Sequence, residues 1–164
     1  EMPDDYGNFF TQQLLYGIGQ AVETTYACGG SGTNSNHIPE RLTGTFGYNY
    51  AQYSIIYNPT TIYNQIAINR PVILTGGTKR NSTTWPWNYY DDGHAWVSDG
   101  FVFLVLKAPD VNGICQSYGL RMLHMNWGWG PGPYNYNGWY NENHFNPGAN
   151  TFDYRRGTAY IYPY

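Results

Sequence analysis

Two short stretches of the chain hold residues that could form an acid–base site. The sequence GHAWVSDG (93–100) places His94 at the start of an alternating apolar run, and HMNWGWG (124–130) holds Asn126 with two tryptophans. Imidazole, with an unperturbed pKa of about 6.5, is the usual general acid–base group near neutral pH. An asparagine carbonyl that accepts from a ring N–H would fix the tautomer, and Trp127 and Trp129 could shield that bond from water. A buried structural histidine beside a packed aromatic turn explains the same residues equally well.

A substrate contact and a metal centre are the next chemistries to consider. Gly93 removes a side chain directly before His94, where a substrate backbone could approach. His37 and His144 lie in polar stretches, where exposure to solvent is the simplest interpretation. The four histidines include no H-x-x-x-H pair, and the chain has no C-x-x-C. We therefore expect neither a metal nor another cofactor.

Two cysteines, Cys28 and Cys115, are present. They could form one disulfide or be two small, buried, inert thiols, and the sequence leaves both open. A reactive thiolate needs a helix N-terminus or an imidazolium neighbour. Cys28 is expected at the C-terminal end of a helix, where the dipole disfavours an anion, and Cys115 in a hairpin turn. We therefore expect neither to be a nucleophile.

Composition limits the class of protein. The 164 residues are about one domain's worth of chain, with a net charge of −3 and 19% aromatic residues. This charge gives no reason to expect a nucleic-acid partner. No apolar run approaches the roughly 18 residues that span a membrane. Abundant Gly, Asn, Thr and Tyr favour a β-rich protein that is secreted or displayed at the cell surface.

The predicted helices come first and most of the predicted strands follow. Three segments are predicted to be helical. The first is NFFTQQLLYGIGQAVETTYA (8–27), where Asn8 could be the cap, and the second is the short IPERLTGTFGY. The third is PTTIYNQIAINR (59–70), with Pro59 at the first helical position. Beyond the strand-like YAQYSIIY, the period changes to two from residue 71. The strands are PVILTG, HAWVSDGFVFLVLKAP with a turn at Asp99-Gly100, YGLRMLHMNWGWG, GWYNEN and RRGTAYIYPY. The sequence predicts an α+β fold with an antiparallel sheet of about five or six strands, and Asn126 on the next strand but one after that of His94.

The paired motifs also resemble a known family. GHAWVSDGF followed by HMNWGWGPG and NGWY is similar to the second half of the streptopain family of secreted bacterial cysteine peptidases. LLYGIGQAVETTYACGGSGT resembles the family's helix and glycine-serine substrate loop, and NQIAINRPVILTGG resembles its approach to the histidine. NPGA and GTAYIYPY resemble its C-terminus, so the similarity covers nearly all of the chain. The resemblance implies a papain-like fold and hydrolysis of peptide bonds by a Cys-His site.

The resemblance also implies roles for individual residues. The catalytic roles belong to His94, Asn126, Trp127 and Trp129, and the substrate-binding roles belong to Gly93, Ser31, Gly32 and Thr33. His94 matches the catalytic histidine, and the Asn-Trp-Gly-Trp segment matches the motif that orients and covers it. A protein or peptide is the implied substrate.

The chain departs from the family pattern at the nucleophile, because the family's catalytic cysteine has no counterpart here. We therefore expect residues 1–164 to be a single domain, the C-terminal portion of a streptopain-like peptidase domain without the nucleophile-bearing N-terminal half, and inactive by itself. The missing half, a pro-segment or inhibitor, or a second copy in a homodimer would be its partner. Two segments, TKRNSTTWPWNYYDD (78–92) and FVFLVLKAPDVNGICQSYGLRML (101–123), are longer than the family pattern suggests.

Two other functions remain open at this point. The first is a catalytically dead papain-like binding module that recognises protein or carbohydrate through its Trp- and Tyr-rich loops, WPWNYY and GPYNYNGWY. Array binding that survives His94→Ala and fails with Trp85→Ala or Trp87→Ala would favour it. The second is an aromatic-rich structural domain without a site, which requires the two motifs to occur together by coincidence.

Overall fold

The computed structural model describes residues 9–28, 31–79, 90–130, 132–133 and 135–162. The chain divides into two compact units. The smaller comprises Glu1–Tyr53 with Tyr162–Tyr164, and the larger comprises Ser54–Ile161. Asn8, the expected helix cap, lies outside the described residues, as do Trp85 and Trp87, on which the binding-module alternative depends.

Two helices and one strand belong mainly to the smaller unit. These are α1 (Phe9–Ala21), α2 (Ile38–Gly44), which follows a 3-10 turn at Ser35–His37, and β1 (Tyr50–Ser54). Helix α1 ends six residues earlier than expected, because the chain reverses at Glu23 (φ 57°) and Thr25 then pairs with Gly32. The Glu23 carboxylate accepts from Arg41 at 2.6 Å, which ties the end of α1 to α2.

One helix and five strands make up most of the larger unit. They are α3 (Pro59–Ile66), β2 (Val72–Lys79), β3 (Tyr90–Pro109), β4 (Cys115–Asn126), β5 (Gly138–Asn141) and β6 (Tyr154–Tyr162). Asn58 caps α3 by accepting from the N–H groups of Thr60 and Thr61, and Pro59 occupies the first helical position as predicted. The sheet has six strands in the order β1-β6-β2-β3-β4-β5, and β6-β2-β3-β4-β5 are antiparallel neighbours. The α+β class and the antiparallel sheet are confirmed.

The turn predicted at Asp99-Gly100 is wrong. Strand β3 continues through this dipeptide with a bulge between Ser98 and Gly100. A Cβ at Gly100 would lie 3.1 Å from the His124 Cβ and 3.3 Å from a Trp139 ring carbon, so glycine lets these two residues pack closely against β3. Asn126 therefore lies on the strand next to that of His94.

The β3–β4 turn lies further along the chain, in the VNG segment. Asp110 Oδ1 accepts from the N–H groups of Asn112 (2.8 Å) and Ile114 (3.0 Å), and Gly113 adopts a φ of 77°. An aspartate that bonds the backbone two residues ahead, followed by a left-handed glycine, closes a turn efficiently. The resulting hairpin is long, and several of its large apolar side chains are exposed, namely Phe101, Phe103, Leu104, Val105, Leu106, Val111, Ile114 and Tyr118.

Alternation along the two central strands brings the sequence motifs together. On β3, His94 is half-buried and Trp96 and Ser98 are buried, whereas the residues between them are exposed. On β4, Leu123 and Met125 are buried, and the buried Trp127 follows the end of the strand. Since side chains alternate across a sheet, the inward residues of both strands meet on one face. This face carries the candidate site.

Candidate active site

His94 makes one polar contact that fixes its tautomer. Its Nε2 lies 2.9 Å from the carbonyl oxygen of Trp127. A carbonyl oxygen can only accept, so Nε2 carries the proton of the neutral ring and Nδ1 carries the lone pair. Within the described part of the chain no group donates to Nδ1. Among these described residues, the ring therefore presents a base nitrogen that is not occupied by a structural bond.

Four aromatic rings, here called the aromatic cluster, surround His94. Trp96 and Trp127 stack with the imidazole at centroid distances of 6.2 Å, and Trp129 and Phe152 lie at 5.1 and 5.4 Å. Trp96, Trp127 and Phe152 are at most 3% exposed. Packed rings of this kind hold the imidazole plane and exclude water from its faces. The tryptophans expected to shield an asparagine contact thus pack against the imidazole itself.

Burial in this cluster also shifts the acidity of His94. Loss of hydration disfavours the imidazolium and lowers the pKa of His94 below its usual 6.5, and the bond to the Trp127 carbonyl offsets part of this effect. The neutral ring is therefore the main form near neutral pH. A neutral histidine with a free Nδ1 is suited to accept a proton from an acid such as a thiol.

The structure corrects the expected partner of His94. Asn126 was expected to accept from its ring, but the Asn126 side chain accepts from the Gly128 N–H at 3.1 Å. In the β3–β4 register Asn126 lies opposite Val97, three residues along the strand from His94. An asparagine whose oxygen bonds the N–H two residues ahead forms an Asx-turn, a local alternative to a long-range contact. The acceptor for His94 is a main-chain carbonyl.

Comparison with known proteins bears on this arrangement. A model of the Peptidase C10 family matches residues 9–140, a range that includes His94 and the Trp127 turn. The chain belongs to the Peptidase C10 family. This is the streptopain family, so the resemblance of the paired motifs is confirmed, and the chain is a cysteine peptidase domain. No curated protein and no solved structure matches this C10 domain.

The two cysteines of the C10 domain are both free and exposed. Neither alternative that the sequence left open is observed, because the two cysteines form no disulfide with each other and neither thiol is buried. Cys115 begins β4 and pairs with Pro109 at the far end of the β3–β4 hairpin. Pro109 is on the same strand as His94, fifteen residues further along β3. At about 3.3 Å per residue this is about 50 Å of strand, which places the Cys115 thiol beyond the reach of His94. Cys28 belongs to the smaller unit and follows the end of α1.

The predicted substrate-binding residues of the C10 domain belong to both units. Gly93 is exposed on β3, directly before His94. Ser31, Gly32 and Thr33 are exposed in the smaller unit, where Gly32 exchanges two backbone hydrogen bonds with Thr25 (2.9 and 3.1 Å). The Thr33 hydroxyl donates to the Val22 carbonyl. Their contact with substrate stays a prediction.

No set of three or more His, Cys, Asp or Glu side chains suited to a metal ion occurs among the described residues of the C10 domain. Within the same residues, no helix is long and apolar enough to span a membrane.

Sequence analysis missed three residues around His94. Trp96 lies two residues after His94, so alternation along the strand could have identified it. Phe152 reaches the cluster from a loop whose ends meet, because its N–H donates to the Phe145 carbonyl at 2.8 Å and Asp153 accepts from the Phe145 N–H at 2.6 Å. No local sequence signal marks this closure. The third residue, Gly76, lies directly opposite His94 on β2.

We expect Gly76→Ala to destabilise the C10 domain by about 3 kcal/mol, the upper part of the range for overpacked cores. A Cβ at Gly76 would lie 2.3 Å from the Phe152 carbonyl oxygen and 3.2 Å from Trp96 Cη2, so the backbone under the cluster must shift. Chemical denaturation followed by near-UV circular dichroism measures the change. At Gly119 the added Cβ would meet only the ring of Phe103, which is 56% exposed, so Gly119→Ala should be nearly neutral. Equal stabilities of the two variants would contradict the packing argument.

We expect the free energy of unfolding to fall as the pH drops from about 7 to about 5. Because the pKa of His94 is depressed in the folded state, its contribution to stability is complete above the unfolded pKa of about 6.5 and is lost as the pH falls through the folded value. Urea titrations across this range test the slope. His94→Gln should flatten it, whereas His144→Gln, at a side chain that is 74% exposed, should not. Parallel slopes for the wild type and His94→Gln would rule out His94 as the source.

Proposed function

We propose that the chain supplies the acid–base half of a secreted, papain-like, cysteine-type endopeptidase that acts on proteins or peptides, with His94 as the catalytic acid–base residue. The main support is the bond between His94 Nε2 and the Trp127 carbonyl, which leaves Nδ1 as the proton acceptor in a half-buried ring. Membership of the C10 family supplies the reaction class. The papain-like fold and the secretion in this proposal come from the resemblance of the motifs to the family.

The reaction follows from the protonation state of His94. Nδ1 takes the proton of a cysteine thiol, and the thiolate attacks the carbonyl carbon of the scissile bond. The imidazolium then gives this proton to the leaving amine, which departs and leaves a thioester. Nδ1 next takes a proton from water as the water oxygen attacks the thioester carbonyl carbon. The imidazolium then returns this proton to the leaving cysteine sulfur, which releases the carboxylic acid and restores the thiol and the neutral ring. The aromatic cluster keeps the ring in one plane through these proton transfers.

We propose that the thiol lies outside residues 1–164, in the nucleophile-bearing half of the peptidase, and that this chain alone is inactive. The distance along β3 and β4 argues against Cys115. Because α1 ends at Ala21, Cys28 lies in the segment between Ala21 and Ser35 and not at the end of a helix as expected, and it is away from the helix N-terminus that would favour a thiolate. The missing half, a pro-segment or an inhibitor is then the proposed partner, and a homodimer is the alternative assembly.

The test compares this chain with the full-length product of its gene in casein hydrolysis near neutral pH. We expect the full-length protein to be active, iodoacetamide to abolish the activity, and mass spectrometry to locate the alkylated cysteine outside residues 1–164. Full-length Cys28→Ser and Cys115→Ser are the matched controls and should keep their activity. Hydrolysis by the chain alone, or its loss in Cys28→Ser, would overturn the proposed source of the thiol. Absence of thiol-dependent hydrolysis in the full-length protein would overturn the function.

A further inference from the structure

The two peptide units that flank the Cα of Trp127 are each held by a side chain. The N–H of Trp127 donates to Asn137 Oδ1 at 2.8 Å, and the N–H of Gly128 donates to Asn126 Oδ1 at 3.1 Å. The carbonyl that accepts from His94 belongs to the same planar peptide unit as the Gly128 N–H. One asparagine therefore holds the peptide unit before Trp127, and the other holds the unit that contacts His94.

These two bonds restrict φ and ψ of Trp127, the backbone torsions that set the direction of its carbonyl. The Trp127 indole is fixed by burial, because it is only 1% exposed. Relative to this indole, rotation about φ of Trp127 moves the peptide unit that Asn137 holds. Rotation about ψ moves the peptide unit that Asn126 holds. Gly128 then turns away with a φ of 73°, a left-handed conformation that favours glycine. The direction of the carbonyl toward His94 thus depends on both asparagines.

The two asparagines lie at different separations along the chain from the N–H groups that they hold. Asn126 bonds a neighbour two residues ahead, which is a local turn. Asn137 reaches back ten residues from the segment before β5, and its own N–H donates to Asn135 Oδ1 at 3.0 Å. Asn137 is thereby held in a turn of its own, so its side chain can act as a fixed anchor for the Trp127 backbone.

We infer that Asn137 is a positioning residue for His94, which it orients through the backbone of Trp127. It holds the Trp127 N–H, the adjoining carbonyl then keeps its direction, and the carbonyl keeps the proton on His94 Nε2 and the lone pair on Nδ1. The consequence for catalysis rests on the proposed function, whereas the consequence for the histidine ring does not. An asparagine that merely closed its loop would stabilise the fold without affecting the imidazole.

The test observes the imidazole directly in the nitrogen-labelled 164-residue chain. We expect the wild type to show a slowly exchanging ring proton on His94 Nε2. In Asn137→Ala this proton should exchange at least about fivefold faster, the change expected from loss of one neutral hydrogen bond. Asn137→Asp keeps an oxygen acceptor and should restore the wild-type rate. Asn141→Ala removes a similar bond, in which the Asn143 N–H donates to Asn141 Oδ1 (2.9 Å), and is the matched control with no expected effect.

Each outcome decides between the interpretations. Exchange that is unchanged in Asn137→Ala, or accelerated equally in Asn141→Ala, would overturn the inference and leave Asn137 as a loop residue. If Asn137→Ala does not fold, the comparison of Asn137→Ser with Asn137→Asp decides in its place, with faster exchange expected only for serine. In the full-length protein, Asn137→Ala should lower kcat about tenfold with KM unchanged. A kcat that does not respond, despite faster exchange, would count against the proposed function of His94 and leave the positioning of its ring intact.

Discussion

Replacement of His94 by asparagine in the full-length protein is expected to lower kcat/KM for casein by about 10³-fold or more, because the variant lacks the group that transfers both protons. Asparagine offers no base in place of Nδ1, and its amide is too short to reach the Trp127 carbonyl that accepts from His94 Nε2. The loss should therefore appear mainly in kcat. Steady-state kinetics at several substrate concentrations separates the two constants.

His144→Asn is the control for this substitution. Its imidazole is 74% exposed and pairs with Asp153 rather than with the aromatic cluster, so activity should stay close to that of the wild type. Near-UV circular dichroism should be similar in both variants if the cluster remains packed. A decrease of less than about tenfold in His94→Asn would show that another residue transfers the protons.

Trp127→Ala is expected to cost about 3–5 kcal/mol of the free energy of unfolding, the range found for large aromatic residues in cores. Trp127 is 1% exposed, and its ring contacts Trp96 at 4.7 Å and Tyr140 at 5.3 Å as well as His94. Removal of the indole leaves a cavity beside His94 in the larger unit. Urea denaturation followed by near-UV circular dichroism, which reports on the packed rings, measures the loss.

Trp139→Ala provides the matched control on β5. Trp139 is 49% exposed and its ring meets only the edge of His124 within the described aromatic contacts, so its removal should cost about 1 kcal/mol or less. If the two tryptophan variants unfolded at the same urea concentration, the burial of Trp127 would not contribute the expected stability.

Several elements could be predicted from the sequence because they depend on local chemistry. Asn58 and Pro59 begin α3 through a side-chain cap and a fixed φ, and both act within one turn of chain. The change to a period of two from residue 71 identified the strands, since side chains alternate on a pleated sheet. His94 and the two tryptophans of the turn were found for the same reason, as a short motif beside a strand.

Other features depend on contacts between residues distant in sequence. The Asp99-Gly100 dipeptide has the composition of a turn, yet Gly100 lies inside β3, where it accommodates the close packing of His124 on β4 and Trp139 on β5. The orienting acceptor for His94 is a backbone carbonyl, and every residue has one, so no residue type marks it. Phe152 enters the cluster through a loop closed by Asp153, and neither spacing nor composition encodes that closure.

The aromatic cluster also makes the site a natural optical probe. Three of the six tryptophans of the chain have rings within 6.2 Å of the His94 imidazole. A positive charge beside an indole interacts with its π-electrons, and an imidazolium quenches indole fluorescence more strongly than a neutral imidazole does. Protonation of His94 is therefore coupled to the emission of its own neighbours. The rings that hold the acid–base group therefore also report its charge, and comparison with His94→Gln separates this signal from that of His124, whose ring contacts Trp139.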